Sequence, residues 1–276
     1  MNKRWRTRLT NFEFRQNGLL DMEDIFVHVP ALHPSLSGIR LAVVSDLHLK
    51  VSYPGMDQFL LCLHAARPDV ICIVGDMVDA FTPSLMPLEL LLREMAACAP
   101  IIAVLGNNDY VFSDILSLRN LYRNQGAALL EDEAYLYTKG DGRLRFIGLQ
   151  DATAFRTHLN VQRDAATLLF ETPQIPTVLL LHRAHKGPSY RNRGLILALA
   201  GHAHGGQWRL PGIGPIYSPG QGIFPKYTSG LYRIGSLPMV VSRGLGNHEM
   251  PIRIRNRPHL PIVTLINETE RAKALS

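Results

Sequence analysis

The sequence predicts an α/β protein in which short buried strands alternate with helices. Three observations support this prediction: apolar runs of strand length recur, each run ends in a polar turn, and a segment with helical periodicity follows. Continuous apolar runs are typical of parallel strands that are covered on both faces. The 276 residues, 46% hydrophobic and 19% charged, suffice for one large domain or two small ones and exclude intrinsic disorder.

The first half of the chain shows this alternation most clearly. Strands are predicted at residues 39–44, 70–74 and 101–105, and helices at 56–67, 85–97 and 114–125. The order strand, turn, helix is typical of βαβ units, which place their strands side by side in a parallel sheet. We therefore expect the polar turns after these strands to lie at one edge of that sheet.

The second half is predicted to be richer in strands. Residues 135–138 and 144–149 would pair across the turn signal Gly140-Asp141-Gly142, and residues 165–170 would form a helix. Further strands are predicted at 177–181, 195–200, 231–234, 239–242 and 262–266. The Gly- and Pro-rich segment 205–230 is predicted to be a long ordered loop without regular structure.

No change in composition marks a domain boundary. We predict a basic segment with one or more lead-in strands over residues 1–38 and a single domain with two sheets over residues 39–276. The chain has no apolar run long enough for a membrane-spanning helix, and no apolar segment follows its basic N-terminus as in a secretory signal. The odd number of cysteines, three, favours reduced core thiols, so we expect a cytoplasmic protein.

The net charge of +6 is unevenly distributed. Residues 183–257 contain eleven Lys and Arg against one acidic residue, and four further basic residues lie between residues 3 and 8. This excess favours a phosphate-bearing partner, although a solvated basic surface explains it equally well. The N-terminal Trp5, Leu9 and Phe12, with basic neighbours, would suit peripheral contact with the inner face of a membrane.

Polar side chains recur where the apolar runs end. They are Asp46, His48, Asp76, Asp79, Asn107, Asn108, Asp109, His182, His202 and His204. An aspartate at a strand end also caps helices, so each residue alone is weak evidence. Together they offer oxygen and imidazole ligands without a thiolate, a set that suits Mn, Fe, Zn or Mg. The joint pattern predicts a metal site, and one bridging carboxylate would place two ions about 3.5–4 Å apart.

In this order, the blocks SDLHL (45–49), GDMVD (75–79), GNND (106–109), LH (181–182) and GHAH (201–204) resemble the calcineurin-like metallophosphoesterase superfamily. The resemblance extends over about residues 39–266. The segments GGQWRLP (205–211) and SRGLG (242–246) resemble its bacterial branch of small phosphodiesterases. That branch includes cell-envelope phosphodiesterases and a UDP-2,3-diacylglucosamine pyrophosphatase of lipid A synthesis.

The resemblance implies a four-layer α/β/β/α sandwich with a dinuclear metal site at one end of its two sheets. The implied ligands are Asp46, His48 and His204 for the first ion, Asn107, His182 and His202 for the second, and Asp76 for both. Asp79 and Asp109 would orient these ligands from behind. We expect two divalent ions, Mn first, with Fe, Zn or Ni as alternatives.

The third block departs from the family pattern, because Asn108 replaces the usual histidine, which is thought to protonate the leaving group. An amide donates a hydrogen bond but delivers no proton at pH 7. We therefore expect either an acidic leaving group, as in a pyrophosphate or aryl phosphate, or a substitute acid at His185 or His248. Asp76, Asn108 and His204 are the candidate catalytic residues.

The resemblance implies hydrolysis of a phosphodiester or pyrophosphate by a metal-bridging hydroxide. A lipid- or nucleotide-linked envelope metabolite similar to UDP-2,3-diacylglucosamine is the first candidate substrate, and a nucleic acid is less favoured. Candidate substrate contacts are Arg209, Lys226, Arg243 and His248, with a solvated basic face as the alternative. Three functions remain open besides: a nuclease or other phosphodiesterase, a protein phosphatase, and a non-enzymatic interaction module on a decayed site. The sequence does not predict an oligomeric state.

Overall fold

Two six-stranded sheets stacked on each other form the framework of the protein. The computed structural model describes residues 19–49, 55–154, 174–247 and 253–268. The first sheet contains β1 (Asp21–Val29), β2 (Arg40–Val44), β3 (Val70–Val74), β4 (Ile101–Val104), β5 (Ala128–Leu129) and β16 (His259–Asn267). Its strand order is β1-β16-β2-β3-β4-β5, with β16 antiparallel to β2 and the other neighbours parallel.

The second sheet contains β6 (Glu133–Lys139), β7 (Gly142–Gly148), β8 (Thr177–Arg183), β9 (Leu197–Gly201), β14 (Gly230–Ile234) and β15 (Leu237–Val241). Its order is β14-β15-β9-β8-β7-β6, with parallel pairing from β7 through β15 and an antiparallel strand at each edge. Between β9 and β14 the chain forms β10 (Arg209–Leu210), β11 (Gly214–Pro215), β12 (Tyr217–Ser218) and β13 (Gly222–Ile223). These four short strands form two separate antiparallel pairs.

Both faces of the central strands are buried, which explains their continuous apolar sequences. In β2, Leu41 and Val43 point into the core between the two sheets, whereas Ala42 and Val44 point into the core under the helices. Those helices are α1 (Met56–Ala66), α2 (Met86–Cys98) and α3 (Ile115–Asn124). A strand has a side-chain period of two, so a run that is buried on both faces shows no polar alternation.

The predicted α/β class with two sheets is confirmed. Helices cover the outer face of the first sheet, and a third core covers the outer face of the second sheet. Within the described residues, the helical cover of that second face is a 3-10 helix, Ala184–Tyr190. The helix predicted at 165–170 and the basic N-terminal residues lie outside the described residues. None of the helices among the described residues is long and apolar enough to span a bilayer.

The prediction of no regular structure over 205–230 is wrong, because β10 to β13 lie within this segment. Strands of two residues are too short for a period of two to appear in the sequence. The pair predicted around Gly140-Asp141-Gly142 is present as β6 and β7, with Lys139 opposite Gly142. The parallel strands β2, β3 and β4 end at one edge of their sheet, and the candidate ligands follow these ends.

Candidate metal centre

Many of the candidate ligands have an unusual backbone conformation. The φ angles are 51° at Asp46, 47° at His48, 57° at Asp76, 67° at His202 and 45° at His204. Residues other than glycine rarely adopt this left-handed region, and where they do, the surrounding structure must hold them there. Such residues concentrate at functional sites, so the five angles mark this edge of the sheets independently of side-chain chemistry.

Backbone hydrogen bonds continue past the ends of β2 and β3 and fix the two turns that follow. The Asp46 amide donates to the Gly75 carbonyl at 2.9 Å, and the His48 amide donates to the Asp76 carbonyl at 3.1 Å. The first two candidate blocks are therefore paired residue against residue beyond the strands. This pairing brings the side chains of Asp46, His48 and Asp76 together, although up to 30 residues separate them in the chain.

One group of buried side chains consists of Asp46, His48 and His204. A ligand atom of each lies within 4.8 Å of the others. The Nε2 atoms of His48 and His204 are 3.2 Å apart, and His204 Nε2 is 3.6 Å from Asp46 Oδ1. Both carboxylate oxygens of Asp46 accept the His202 amide, at 3.1 and 3.0 Å, which ties the first sheet to the second at this point.

A second buried group consists of Asp76, His182 and His202, again with ligand atoms within 4.8 Å of one another. His182 Nε2 lies 3.1 Å from Asp76 Oδ2 and 3.1 Å from His202 Nδ1. The other nitrogen of His182, Nδ1, donates to the Val74 carbonyl at 2.8 Å, and this bond leaves Nε2 to face the group. Asp76 Oδ2 is also 3.8 Å from His48 Nε2, so Asp76 borders both groups.

Asn107 gives an independent indication of what the site binds. Its side-chain oxygen is buried and has no hydrogen-bond partner among the described residues. A buried amide oxygen without a partner costs free energy unless something else satisfies it. Converging imidazole nitrogens and carboxylates beside an unsatisfied amide oxygen suit divalent ions that accept nitrogen and oxygen ligands. The residues present therefore fit the two ions that the family resemblance implies.

Charge and burial together set the pKa values in the site. Burial raises the pKa of Asp46 to about 6, against the lowering effect of His182. Burial alone would also raise the pKa of Asp76, but the charge and hydrogen bond of His182 hold it well below its usual range. Burial disfavours protonation of His182, yet Asp76 raises its pKa to about 10. A proton on His182 thus balances Asp76, and a bound cation would replace this proton.

Asp109 holds the turn that presents Asp76. Its carboxylate accepts the backbone amides of Asp76 at 2.7 Å, Gly106 at 2.8 Å and Val78 at 3.0 Å. Asp79 lies behind His48, with Asp79 Oδ2 3.7 Å from His48 Nδ1, and its Oδ1 accepts the Phe81 amide at 2.8 Å. Both aspartates thus occupy positions from which they orient candidate ligands.

Asn108 contacts the candidate bridging carboxylate directly. Its backbone amide donates to Asp76 Oδ1, and its side-chain Nδ2 donates to Asp76 Oδ2, both at 2.7 Å. Hydrogen bonds to an ionised carboxylate favour the ionised form, and these bonds contribute to the low pKa of Asp76. The amide that replaces the usual histidine is therefore engaged with a candidate ligand in this structure.

The candidate substrate contacts differ in whether their side chains are bonded to the protein or exposed. Arg209 donates to the Gly205 carbonyl at 2.9 Å, and Arg243 forms an ion pair with Asp21 at 2.6 Å. Lys226 is exposed, with its ammonium 5.2 Å from the centre of the Tyr227 ring. The contacts of Arg209 and Arg243 engage both side chains with the protein itself. His248 lies outside the described residues.

The loop 243–247 packs against Asp46 and holds its backbone in place. The Gly246 amide donates to the Asp46 carbonyl at 2.7 Å, and a Cβ added to Gly244 would lie 2.5 Å from the Asp46 Cβ. The buried guanidinium of Arg253 holds this loop through the Arg243 carbonyl at 2.9 Å, the Asn247 side chain at 2.7 Å and the Gly246 carbonyl. The resemblance at residues 242–246 therefore corresponds to a structural support of the first group.

Sequence reasoning missed Arg183 and Asp151. Their side chains form a two-point ion pair, with distances of 2.5 and 3.1 Å, and Arg183 Nη1 lies 3.4 Å from His202 Nε2. Together with Lys186 and Tyr190 they line a cavity of about 270 Å³ that shares His182 with the second group. Asp151 follows the end of β7, so the rule that located the other site residues would have located it too.

Comparisons with known proteins identify the family to which the chain is similar. The model of the calcineurin-like phosphoesterase family matches residues 39–206. The uncharacterized metallophosphoesterase YkuE of Bacillus subtilis (strain 168) is 27% identical, over 83% of this chain and 79% of that protein. The phosphodiesterase YaeI of Escherichia coli (strain K12) is 25% identical, over 72% of this chain and 71% of that protein.

A further relative is a transmembrane protein with a metallophosphoesterase domain from Danio rerio, 27% identical over 88% of this chain. The chain spans about half of that longer protein, 56% of its length. Among solved structures, TT1561 of Thermus thermophilus matches with a TM-score of 0.52 and 11% identity, over 76% of this chain and 91% of that one. This last likeness concerns the fold alone.

Proposed function

The chain belongs to the calcineurin-like phosphoesterase family, and on that basis we propose that it hydrolyses a phosphodiester or a pyrophosphate with two divalent ions. Membership makes it a metal-dependent phosphoester hydrolase, and the substrate and the ligand assignment are our proposal. The observation on which the proposal depends is the pair of buried three-residue groups that meet at Asp76. Two such groups side by side are the arrangement that a dinuclear site requires.

We assign seven side chains to the two ions. Asp46, His48 and His204 would hold the first, Asn107, His182 and His202 the second, and Asp76 both. The ions would supply a hydroxide nucleophile near neutral pH and hold the charge on the phosphate oxygens. Mn is the first candidate, with Fe, Zn or Ni as alternatives that these ligand types accept equally.

The protein's own groups would position these ligands and the substrate. Asp109 holds the Asp76 turn through three backbone amides, and Val74 fixes the ring of His182. Asp151 holds the Arg183 guanidinium so that one of its nitrogens points to His202 at 3.4 Å. A guanidinium beside the second group is suited to bind a phosphate oxygen, since its fork matches phosphate geometry.

The substrate we favour has an acidic leaving group and is linked to a lipid or a nucleotide. Asn108 delivers no proton, which favours a pyrophosphate or aryl phosphate. His185 is the described alternative acid, with its ring centre 6.1 Å from that of His202. Burial and the neighbouring cations lower the pKa of His185, so at pH 7 its ring is mostly neutral and a weaker proton source. The cysteines, which are free thiols, support a cytoplasmic location.

Hydrolysis of bis-p-nitrophenyl phosphate by the full chain tests the proposal, with metal first removed and Mn²⁺ then added back. We expect two ions per chain and a rate that depends on the ions, because the ions would supply the hydroxide. The aryl leaving group needs no proton, so this substrate should be cleaved although residue 108 is an asparagine. Folded protein that binds no metal and hydrolyses nothing would instead favour the interaction module on a decayed site. Salt-sensitive DNA nicking that exceeds diester hydrolysis would favour the nuclease.

The identity of residue 108 is expected to set leaving-group preference. Asn108→His should raise kcat/KM for an alkyl phosphodiester by about 100-fold, because a positioned general acid contributes about 10²–10⁴. The rate for bis-p-nitrophenyl phosphate should change little, since its leaving group is acidic. Asn108→Ala is the matched control, which removes the amide without adding an acid. Equal acceleration of both substrates would show that residue 108 does not govern protonation.

Arg183 is expected to contribute to substrate binding rather than to metal binding. Arg183→Gln should lower kcat/KM by about 10–100-fold, as expected for loss of one charged donor at a phosphoryl oxygen. Bound metal, measured by elemental analysis, should stay at the wild-type level, because no ligand is removed. Arg123→Gln, at an exposed position on α3, is the control and should behave as wild type. Loss of metal from the Arg183 variant would contradict this role.

A further inference from the structure

The two short hairpins of the second half form a separate feature, which we call the hairpin arm (residues 209–224). It contains β10 to β13 and pairs with neither six-stranded sheet. The two hairpins are joined at Ile216, whose amide donates to the Trp208 carbonyl at 2.9 Å and whose carbonyl accepts the Phe224 amide at 2.9 Å. The arm is thus an ordered pair of hairpins with defined register.

Large apolar side chains are concentrated on the arm and exposed. The exposed fractions are 40% at Leu210, 59% at Ile213, 39% at Tyr217, 70% at Ile223 and 65% at Phe224. Tyr217 and Ile223 are directly opposite in the register of β12 and β13, so their side chains share one face. Single exposed apolar residues are normal, but five within the 16 residues of the arm indicate an interaction surface.

The segment of the chain that contains the arm carries an excess of positive charge. Residues 183–247 contain eight Lys and Arg and no Asp or Glu. Asp151 and Asp21 pair with Arg183 and Arg243, whereas Lys226, directly after the arm, is exposed. Exposed apolar side chains with basic neighbours match an anionic bilayer surface, where apolar side chains enter the interface and cations meet the headgroups.

The arm also lies beside the candidate metal centre. A Cβ added to Gly206, two residues after His204, would lie 2.2 Å from the Pro215 Cβ, so the base of the arm packs on the ligand loop. A Cβ added to Gly220 would lie 2.4 Å from the His185 ring, and that ring centre is 6.1 Å from His202. The second hairpin therefore borders the same edge of the sheets as the second ligand group.

We propose that the hairpin arm docks the protein on an anionic lipid bilayer through its exposed apolar side chains. Ile223 and Phe224 enter the interface, and Lys226 contacts the anionic headgroups. Docking in this way brings the ligand groups to the membrane surface, where a lipid-linked phosphoester is presented. The docking step does not depend on hydrolysis, and only the lipid-linked substrate rests on the proposed function.

Sedimentation of the full chain with vesicles tests the proposal, using phosphatidylcholine alone and phosphatidylcholine with phosphatidylglycerol. Wild type should bind the anionic vesicles and bind the neutral ones more weakly. The double variant Ile223→Ser/Phe224→Ser should bind at least about tenfold more weakly, since it removes two large apolar side chains from the interface. Leu61→Ser/Leu116→Ser is the matched control, because these residues are 72% and 67% exposed on α1 and α3.

The arm variant should hydrolyse bis-p-nitrophenyl phosphate at the wild-type rate, which verifies its fold and separates docking from catalysis. Lys226→Gln should also weaken binding to anionic vesicles, by about fivefold for the loss of one surface charge. Wild type that binds no vesicle, or an arm variant that binds as well as the control, would overturn the proposal. The second of these results would assign vesicle binding to another part of the chain.

Discussion

Asp76→Asn is expected to abolish hydrolysis of bis-p-nitrophenyl phosphate. Asp76 Oδ2 lies 3.1 Å from His182 Nε2 and 3.8 Å from His48 Nε2, so this one carboxylate serves both groups of ligands. Its replacement by a neutral amide removes the charge that two cations would share. We expect kcat to fall by at least about 1,000-fold. This loss corresponds to several kcal/mol of charge stabilisation in the transition state. The rate and the bound metal should be measured on the same sample.

Asp57→Asn is the matched control for this variant, because Asp57 is exposed in the first turn of α1. Its activity and metal content should equal those of wild type, since substitutions at such surface positions cost at most about 0.5 kcal/mol. Bound metal should fall in Asp76→Asn, while the chain stays folded. Full activity in that variant would remove Asp76 from the site and with it the dinuclear proposal.

Gly106→Ala is expected to have the second largest effect, although the new group is a single methyl. A Cβ at residue 106 would lie 2.2 Å from Asp76 Oδ1 and 2.7 Å from the Asp76 amide nitrogen. Neither atom can give way cheaply, because Asn108 and Asp109 hold both by hydrogen bonds. We expect activity to fall by at least about 100-fold, as for loss of a positioned ligand, with weaker metal binding.

Gly126→Ala separates this steric effect from the general cost of replacing glycine. Gly126 has a φ of 74°, and a Cβ there would meet nothing within 4 Å. Its replacement should cost about 1 kcal/mol of unfolding free energy through backbone strain and leave metal binding intact. Thermal melts and metal titrations of both variants give the comparison. Similar metal affinities in the two alanine variants would contradict the argument from Asp76.

The sequence was sufficient to predict which residues end the strands, and so where the candidate ligands lie. Asp46, Asp76 and His182 each follow or end an apolar run, and parallel strands bring such positions to one edge. The structure brings Asp46, His48 and His204 together in one group and Asp76, His182 and His202 in the other, and their roles as ligands stay a prediction. The role of Asp109, by contrast, is seen only in the structure, as three backbone amides converge on its carboxylate.

Contacts between side chains that are distant in the chain could not be predicted from the sequence. The sequence made Arg243 a candidate substrate contact, because it is a basic residue in a glycine-rich block. In the structure its side chain pairs with Asp21, which is 222 residues away in the chain. Asp151 follows a strand end and could have been found, whereas the ion pair that joins it to Arg183 has no local pattern in the sequence. The hairpin arm was missed for a related reason, since two-residue strands depend on turn geometry rather than on hydrophobic periodicity.

The position of β16 has a consequence for synthesis on the ribosome. The last strand of the described residues, β16, lies between β1 and β2, which are both synthesised well before it. Until residue 259 has left the ribosome, β1 has no neighbour in the sheet, and β2 has an open edge beside the turn that bears Asp46. Domains generally fold as units, with N-terminal parts formed first during translation. Here β1 can join the sheet only after β16 has been synthesised, so the first sheet is completed late in the synthesis of this domain.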